Sequence, residues 1–280
     1  MEYKKISPTA ETIAFIRGET DIPYARLIAR LCNAQEATRQ FYRRPDFEID
    51  LSRMKKLAIW AKLRLYAFIE AVKQSEISNI LELASGFSPA GLICSQDPTI
   101  RYLEIDLPKI VERKKALVQA LTRRDNLVFA PLNVLDFEDL RLVAFFSFTH
   151  GPLAVINEGL LQYFTHDEKF ELASNINQIL KPRGGVWVTT DIVLKSHLVE
   201  AFNASLYTRT MRDILAENTG RDMVELAFDS FEQAEELFGK AGFLVEKHAQ
   251  LELAGDFISP GDLQNRTHLV HQQIWIMRAK

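Results

Sequence analysis

The chain has 280 residues, a formal net charge of −3, 47% hydrophobic residues and 25% charged residues. This balance is typical of a globular protein, and it gives no positive field that would attract nucleic acid. The sequence has no apolar run long enough for a membrane span, no signal-peptide pattern, and only two cysteines, Cys32 and Cys94. We therefore expect a cytoplasmic protein without a disulfide framework and without a nucleic-acid or membrane partner.

The N-terminal part of the sequence is predicted to be helical. The stretches "AETIAFIRGE", "PYARLIARLCNAQEATRQFY" and "SRMKKLAIWAKLRLYAFIEAVKQ" space their apolar residues by three and four, and Pro23 and Pro45 separate them. We expect residues 1–78 to form a helical cap that precedes a second domain over residues 79–280.

From Asn79 onward, short apolar runs alternate with amphipathic helices. This alternation predicts βαβ units, and hence a parallel sheet with helices on both faces. The predicted strands are 79–84, 101–106, 127–132, 153–158 and 186–192, and the predicted helices are about 88–96, 107–122, 137–146 and 166–180.

The end of the chain departs from this alternation. A polar helical insert at about 195–228 follows the fifth strand, and then comes a helix that Ser230 caps and Gly242 ends. The last two strand-like runs are "FLVEKHAQ" and "HQQIWIMRA", and the segment between them is predicted to be a loop with proline and glycine. Because parallel pairing usually needs a crossover helix, a loop without one indicates that these strands pair antiparallel. The prediction is an α/β sheet of seven strands, five of them parallel and two forming a terminal hairpin.

The first strand ends in "ELASGFS", at the strand-to-helix turn where open α/β sheets bind ligands. Gly86 allows backbone and ligand to approach closely because it lacks a Cβ atom, and Ala84 is small. The glycines of the dinucleotide fingerprint GxGxxG are largely missing, so the turn is not predicted to bind pyrophosphate. It favours a nucleoside cofactor without phosphate, although a plain strand-to-helix turn is the alternative.

The second strand ends in "YLEIDLP". Glu104 and Asp106 are two positions apart, so their side chains face the same way. An acid about twenty residues past the loop is placed to accept both ribose hydroxyls, and Asp106 is the better candidate because it ends the strand. The alternative is that Asp106 caps the following helix.

Polar groups also follow the third and fourth strands. In "PLNVLDF", Asn133 would place an amide beside an adenine edge while the Val134 N–H meets a ring nitrogen. In "INEGLLQYF", Glu158 would face the centre of the cleft, where a carboxylate attracts a cationic sulfonium. The alternatives are an ordinary turn and a solvated acid.

Together these segments carry a family resemblance. "ELASGFSPAGL", "YLEIDLPKIVERKKAL", "PLNVLDF" and "NEGLLQYF", in this order and spacing, resemble the leucine carboxyl methyltransferase family, with a similarity that extends over about residues 7–242. The order of elements likewise resembles the Rossmann-like, seven-stranded fold of class I S-adenosylmethionine-dependent methyltransferases. The resemblance implies S-adenosyl-L-methionine as cofactor and a small-molecule acceptor, as in the bacterial O-methyltransferase-like branch of the family.

The resemblance also implies which residues contact the cofactor. The family places an arginine before the first strand to hold the methionine carboxylate, and "WAKLRLY" offers Lys62 or Arg64. Bidentate binding of carboxylate by guanidinium favours Arg64. The family loop is usually richer in glycine, and its adenine-side residue is usually Asp where this chain has Asn133. The expected contacts are Arg64, Glu82, Ala84, Gly86, Glu104, Asp106, Asn133, Val134 and Glu158.

The implied reaction is O-methylation of a carboxylate or a hydroxyl. A carboxylate is already ionised at neutral pH and needs no base, whereas a hydroxyl would benefit from one. The base candidates are His150, His166, Asp191 and His197, and no pair among them has the spacing of a known dyad. Tyr163 is a candidate to face the methyl donor.

Other functions stay open. A protein C-terminal carboxyl methyltransferase and a non-catalytic binding protein that kept the fold are alternatives, the latter because the loop is poor in glycine. The missing GxGxxG argues against a nicotinamide-dependent oxidoreductase. No cysteine spacing indicates a metal site, and oligomeric state is not encoded in any pattern found.

Overall fold

A computed structural model describes residues 8–148, 150–263 and 272–280. Within these residues the chain forms one seven-stranded sheet covered by helices. The strands are β1 (Asn79–Leu83), β2 (Arg101–Asp106), β3 (Leu127–Pro131), β4 (Leu153–Asn157), β5 (Gly185–Thr189), β6 (Phe243–Ala249) and β7 (Gln273–Ala279). The five parallel strands lie within three residues of the predicted bounds.

The strand order across the sheet is β3-β2-β1-β4-β5-β7-β6. Strands β1 to β5 pair in parallel, and β7 pairs antiparallel with both β5 and β6. The chain order reverses between β1 and β4, which makes their carboxyl ends the topological switch point of the sheet. Leu83 is in register with Ile105 of β2 and Asn157 of β4, so these strands end together. The predicted α/β class and strand count are confirmed.

Helices precede, connect and follow the strands. Before the sheet come α1 (Thr9–Gly18), α2 (Ala25–Leu31), α3 (Ala34–Phe41), α4 (Leu51–Lys55) and α5 (Ala58–Gln74). Between the parallel strands lie α6 (Ala90–Cys94), α7 (Pro108–Leu121), α8 (Phe137–Ser147) and α9 (His166–Leu180). After β5 come α10 (Lys195–Asn203), α11 (Leu206–Thr219), α12 (Met223–Leu226) and α13 (Phe231–Lys240). In the described part of the chain, no helix is both long enough and apolar enough to cross a bilayer.

The connection from β6 to β7 differs from the prediction. It was expected to lack helix, but it contains α14 (Gln250–Ala254), a 3₁₀ turn (Gly255–Phe257) and α15 (Pro260–Leu263). Such short helices depend on tertiary packing rather than on sequence periodicity. Here Phe257 stacks on Tyr66 of α5 with ring centroids 4.0 Å apart. His271, in the run predicted as the last strand, lies outside the described residues.

Four of the five parallel strands, β1, β2, β4 and β5, are largely buried on both faces, as expected for a doubly covered sheet, whereas the edge strand β3 is partly exposed. In β1, Ile80 packs with the N-terminal helices, whereas Leu81 and Leu83 pack with residues of α8, α9 and α13 on the opposite face. Glu82 shares the face of Ile80 because side chains alternate along a strand. The alternation therefore determines the face of the sheet on which an acidic side chain of a strand lies.

The helical insert α10–α12 is attached on two sides. Arg221 forms two hydrogen bonds of 3.0 Å with the carboxylate of Glu168 in α9. The phenol oxygen of Tyr207 accepts the Asp50 N–H at 2.7 Å, immediately before α4. The insert therefore spans from the strand-four side of the sheet to the N-terminal helices.

Candidate cofactor-binding site

A cavity lies at the carboxyl ends of the parallel strands, beside the switch point. Its walls come from the residues that follow β1, β2, β3 and β4, and from helices α1 and α5. Open α/β sheets bind ligands at this position because strand-to-helix loops from neighbouring strands converge there. The location of the cavity therefore indicates a ligand-binding site.

The β1–α6 loop forms the floor of the cavity. Gly86 has a φ of 50° and Ala84 a φ of 51°, both in the left-handed region. That region disfavours residues with a Cβ atom, so Ala84 is held there by its surroundings. A Cβ on Gly86 would approach the Cβ of Ala10 in α1 to 3.2 Å. Helix α1 therefore lies directly over the loop.

Asp106 lies at the end of β2 and holds this loop. Its carboxylate accepts the Gly86 N–H at 2.6 Å and the Leu107 N–H at 2.7 Å. Burial raises the pKa of Asp106, and the two N–H groups oppose that shift. Leu107, not Asp106, occupies the N-cap position of α7. The geometry thus favours a loop-facing acid over the helix-cap alternative.

A buried charge cluster forms the opposite end of the cavity. Arg17 of α1 contacts Glu158 at 2.6 Å between Nη2 and Oε2, and the Nε atom of Arg64 lies 3.5 Å from Glu158 Oε1. The three side chains are 6%, 4% and 8% exposed, in the order Arg17, Arg64, Glu158. The guanidinium of Arg64 also lies 4.5 Å from the centre of the Trp60 ring. Arg64 also pairs with the buried carboxylate of Asp191 at 2.7 Å, so two guanidinium groups are balanced by two carboxylates.

Asn133 and Val134 line the cavity after β3. The side-chain oxygen of Asn133 accepts the Leu135 N–H at 3.2 Å, which forms a local turn. An amide oxygen has a second lone pair, so this turn leaves one acceptor position toward a ligand. The Asn133 side chain is therefore compatible with the adenine-side role expected for it.

Tyr163 also lines the cavity, in a 3₁₀ turn (Leu161–Tyr163) after β4. Burial raises its pKa, although hydrogen bonds with the side chains of Thr9 and Gln162 oppose the shift. A phenol with a raised pKa is a poor base at neutral pH, and Tyr163 fits a donor role better.

Seven of the nine expected cofactor contacts line the cavity: Arg64, Ala84, Gly86, Asp106, Asn133, Val134 and Glu158. Glu82 and Glu104 do not, and the expectation for them is corrected. They are 3% and 0% exposed beneath the loop. The Tyr102 hydroxyl donates to Glu82 at 2.8 Å, and Lys114 of α7 forms an ion pair with Glu104. Both acids face into the layer between sheet and helices.

The base candidates do not lie in the cavity. The His150 carbonyl accepts a hydrogen bond from the Asn79 side chain at 2.9 Å, at the amino end of β1, whereas the cavity lies at the carboxyl ends of the strands. His166 stacks on Phe228, 5.0 Å between ring centres, and His197 is exposed on α10. Asp191 is buried and engaged by several donors, so it is not free to take a proton.

Arg17 and Trp60 are among the cavity residues that were not predicted as contacts. Arg17 ends the sequence "SPTAETIAFIR", which resembles the small-residue-then-arginine opening of the family, and that resemblance was the available signal. Nothing in the sequence indicated a role for Trp60, because packing of its helix is sufficient to explain an apolar residue at that position. Of the two alternatives before the first strand, Arg64 lines the cavity, whereas the Lys62 ammonium pairs with Asp21 at 2.6 Å.

Fold and site together define a class I S-adenosylmethionine-dependent methyltransferase architecture. The sequence profile described as leucine carboxyl methyltransferase matches residues 17–177, more than half of the chain. The chain therefore belongs to the leucine carboxyl methyltransferase family, and the resemblance found in its motifs is confirmed. No curated protein matches the chain in sequence.

Two solved structures with TM-scores above 0.5 agree on the fold. A protein of Thermobifida fusca YX, described as a candidate methyltransferase, is 18% identical with a TM-score of 0.57, over 97% of this chain and 94% of that one. PigF, solved with S-adenosylhomocysteine, is 12% identical with a TM-score of 0.52, over 87% and 62%. Human N-acetylserotonin methyltransferase, solved with S-adenosylmethionine, is 14% identical with a TM-score of 0.48, over 92% and 60%. This chain spans less than two thirds of the length of the last two.

Proposed function

We propose that this protein is an S-adenosylmethionine-dependent O-methyltransferase whose acceptor is the carboxylate of a small molecule. The observation that carries the proposal is the polarity of the cavity. One end holds Arg17, Arg64 and Glu158, the other holds Asp106 and Asn133, and small residues separate them. S-adenosylmethionine has a charged amino-acid tail and an uncharged nucleoside, and these two parts would bind at the two ends of the cavity.

The donor set fits the cofactor at the amino-acid end. Arg17 and Arg64 would hold the methionine carboxylate, because guanidinium groups bind carboxylates bidentately. The Nε atom of Arg17 is buried and has no hydrogen-bond partner among the described residues. Such a buried donor is unfavourable unless a ligand meets it. Glu158 would face the amino group or the sulfonium.

The nucleoside end fits as well. Asp106 would accept the ribose hydroxyls while it keeps the Gly86 N–H, because an ionised carboxylate offers about four acceptor positions. The N–H of Val134 and the amide of Asn133 would meet the adenine edge. The absence of a glycine-rich phosphate turn suits a cofactor that carries no phosphate.

When bound, S-adenosylmethionine supplies a methyl group on a positively charged sulfur. The protein residues then have to hold the acceptor in line with that methyl group and exclude water, and alignment supplies much of the acceleration. Trp60, Ile13 and Gln162 line the cavity but have no role in the proposed cofactor contacts. The acceptor would therefore bind against these three residues.

The lack of an available base favours a carboxylate over a hydroxyl. Among the described residues that line the cavity, the acids are Asp106 and Glu158, and both already accept hydrogen bonds or ion pairs. Histidine is not found among those lining residues. An acceptor that is already ionised at neutral pH needs no proton transfer to the protein.

The test is calorimetry of the purified protein with S-adenosylmethionine, S-adenosylhomocysteine and NAD, followed by transfer of labelled methyl to carboxylic acids and to phenols. We expect binding of the first two compounds, none of NAD, and label in base-labile esters. Binding without transfer to any acceptor would favour a non-catalytic protein that kept the fold. Failure to bind all three compounds would overturn the proposal.

A further inference from the structure

The carboxylate of Asp191, just beyond β5, is the point at which several elements of the site meet. It is buried, and its side chain is 0% exposed. Five donors reach its two oxygens. They are the Arg64 guanidinium (2.7 Å), the Asn157 amide (2.7 Å), and the backbone N–H groups of Gly159 (2.7 Å), Leu160 (2.8 Å) and Leu161 (3.1 Å).

This saturation excludes Asp191 as a base and explains its burial. A buried carboxylate is unfavourable unless it is paired and hydrogen-bonded, and five donors, one of them charged, satisfy that need. The three successive N–H groups open the 3₁₀ turn (Leu161–Tyr163), so the carboxylate also caps that turn. No acceptor position is left for a proton from a substrate.

Two of the elements that Asp191 joins belong to the amino-acid end of the cavity. One is Arg64 on α5, and the other is the segment that begins at Glu158 and ends at Tyr163. They are far apart in sequence, and among the described residues this carboxylate and the 3.5 Å contact of Arg64 with Glu158 join them.

We propose that Asp191 is the positioning residue of the methyl-donor site. It keeps the Arg64 Nη2 group turned away from Glu158 and fixes the Glu158–Tyr163 segment at the distance that the amino-acid tail of the cofactor requires. The inference rests on the proposed function, since it names the residue that sets the geometry of that same site.

The geometry indicates what happens without this carboxylate. Arg64 would keep a 3.2 Å hydrogen bond to Thr190 and its contact with Glu158. Its released Nη2 group would turn to Glu158, because a buried cation without an anionic partner is unfavourable and Glu158 is the nearest remaining carboxylate. The guanidinium would then no longer be available to a ligand carboxylate, while the ribose end at Asp106 would be unchanged.

The test compares two ligands on the Asp191→Asn variant. S-adenosylhomocysteine carries the amino-acid tail, and 5′-methylthioadenosine carries only the nucleoside and sulfur. We expect the Kd for S-adenosylhomocysteine to rise by at least about tenfold, and that for methylthioadenosine to change by less than about twofold. Equal loss of both ligands, or loss of neither, would overturn the inference.

Two further variants separate positioning from stability. Asn177→Ala removes a 2.8 Å hydrogen bond to the Gly242 carbonyl, remote from the cavity, and should lower Tm without changing either affinity. If Asp191→Asn does not fold, Asn157→Ala removes one donor from the same carboxylate and should weaken S-adenosylhomocysteine selectively. Unchanged selectivity in that variant would also overturn the inference.

The two proposals fail in different ways. If the wild-type protein binds neither S-adenosylhomocysteine nor methylthioadenosine, the proposed function itself is wrong. If it binds both and Asp191→Asn weakens them alike, the methyltransferase assignment stands and only the positioning role is lost.

Discussion

Arg17 in the first helix and Glu158 after the fourth strand form an ion pair of 2.6 Å across 141 residues of sequence. Both side chains are almost fully buried, so the pair is screened little by solvent. It fastens α1 over the β1–α6 loop, where Ala10 already meets Gly86. The N-terminal helix is therefore a wall of the cavity, and changes in it should alter ligand binding.

Arg17→Ala should weaken binding of S-adenosylhomocysteine by at least about tenfold, because it removes one of two guanidinium groups at the amino-acid end. It should also lower stability, since Glu158 loses its closer partner. Calorimetry and thermal unfolding measure the two effects separately. Arg30→Ala, an exposed arginine on α2, is the control and should change neither. Unchanged affinity in a folded Arg17 variant would show that the pair only fastens α1.

Asp106→Ala should raise the Kd for both S-adenosylhomocysteine and methylthioadenosine by at least about tenfold, or roughly 1.4 kcal/mol. The reason is the loss of the ribose acceptor together with the anchor of the Gly86 N–H. Loss of both ligands distinguishes this variant from the selective loss expected at Asp191. If a folded Asp106→Ala protein binds normally, the acid serves the loop and not the ribose.

Gly91→Ala should destabilise the protein by about 1–3 kcal/mol, the usual cost of overpacking. A Cβ at this position would lie 2.1 Å from Oε1 of Glu104 and 2.9 Å from Leu127. Gly239→Ala is the matched control: it is also a helical glycine, but an added Cβ meets nothing within 4 Å. It should be neutral or stabilising by up to about 1 kcal/mol. Urea unfolding of the two variants checks the contrast, and equal effects would contradict it.

Burial raises the pKa of Glu104 to about 7, against the opposing effect of Lys114, while Glu82 adds to the rise. The folded-state pKa therefore lies above that of the unfolded chain. The stability that this group contributes is present at low pH and is lost as pH rises through about 7.

The test is urea unfolding of wild type and Glu104→Gln at about pH 5.5 and about pH 8. Gln cannot titrate, so the stability of wild type relative to the variant should fall between the two pH values. The exposed Glu236 provides a control, because its pKa is lowered by the hydrogen bond with Lys240 and it stays ionised across this pH range, so Glu236→Gln should leave the pH dependence between these two values as in wild type. A wild-type advantage that grows with pH would contradict the expected sign.

The parallel strands were predictable because each is a short run with apolar residues at its centre, and each alternates with a predicted amphipathic helix. The acid at the end of β2 was also predictable, because Asp106 emerges where the strand stops. Glu104 shares its face but lies about 7 Å deeper, two residues back along the strand. At that depth Lys114 covers it. Strand alternation gives the direction of a side chain but not what lies above it.

The remaining features of the site depend on packing between distant segments. Nothing in the spacing of α1 indicates that Arg17 reaches Glu158, and nothing in "TTDI" distinguishes a saturated carboxylate from a base. The short helices between β6 and β7 likewise form against α5, through Phe257 and Tyr66. Local patterns predicted the elements, and contacts between elements decided the roles of their polar residues.

Ala84, with its φ of 51°, has a consequence for how the cavity meets a ligand. An alanine in this conformation is strained by about 1–2 kcal/mol, and the fold carries that cost before any ligand arrives. A glycine there would be relaxed but would also sample more backbone states. The alanine-containing loop is thus preorganised, so a nucleoside that enters the cavity loses less of its binding energy to ordering the backbone beneath it.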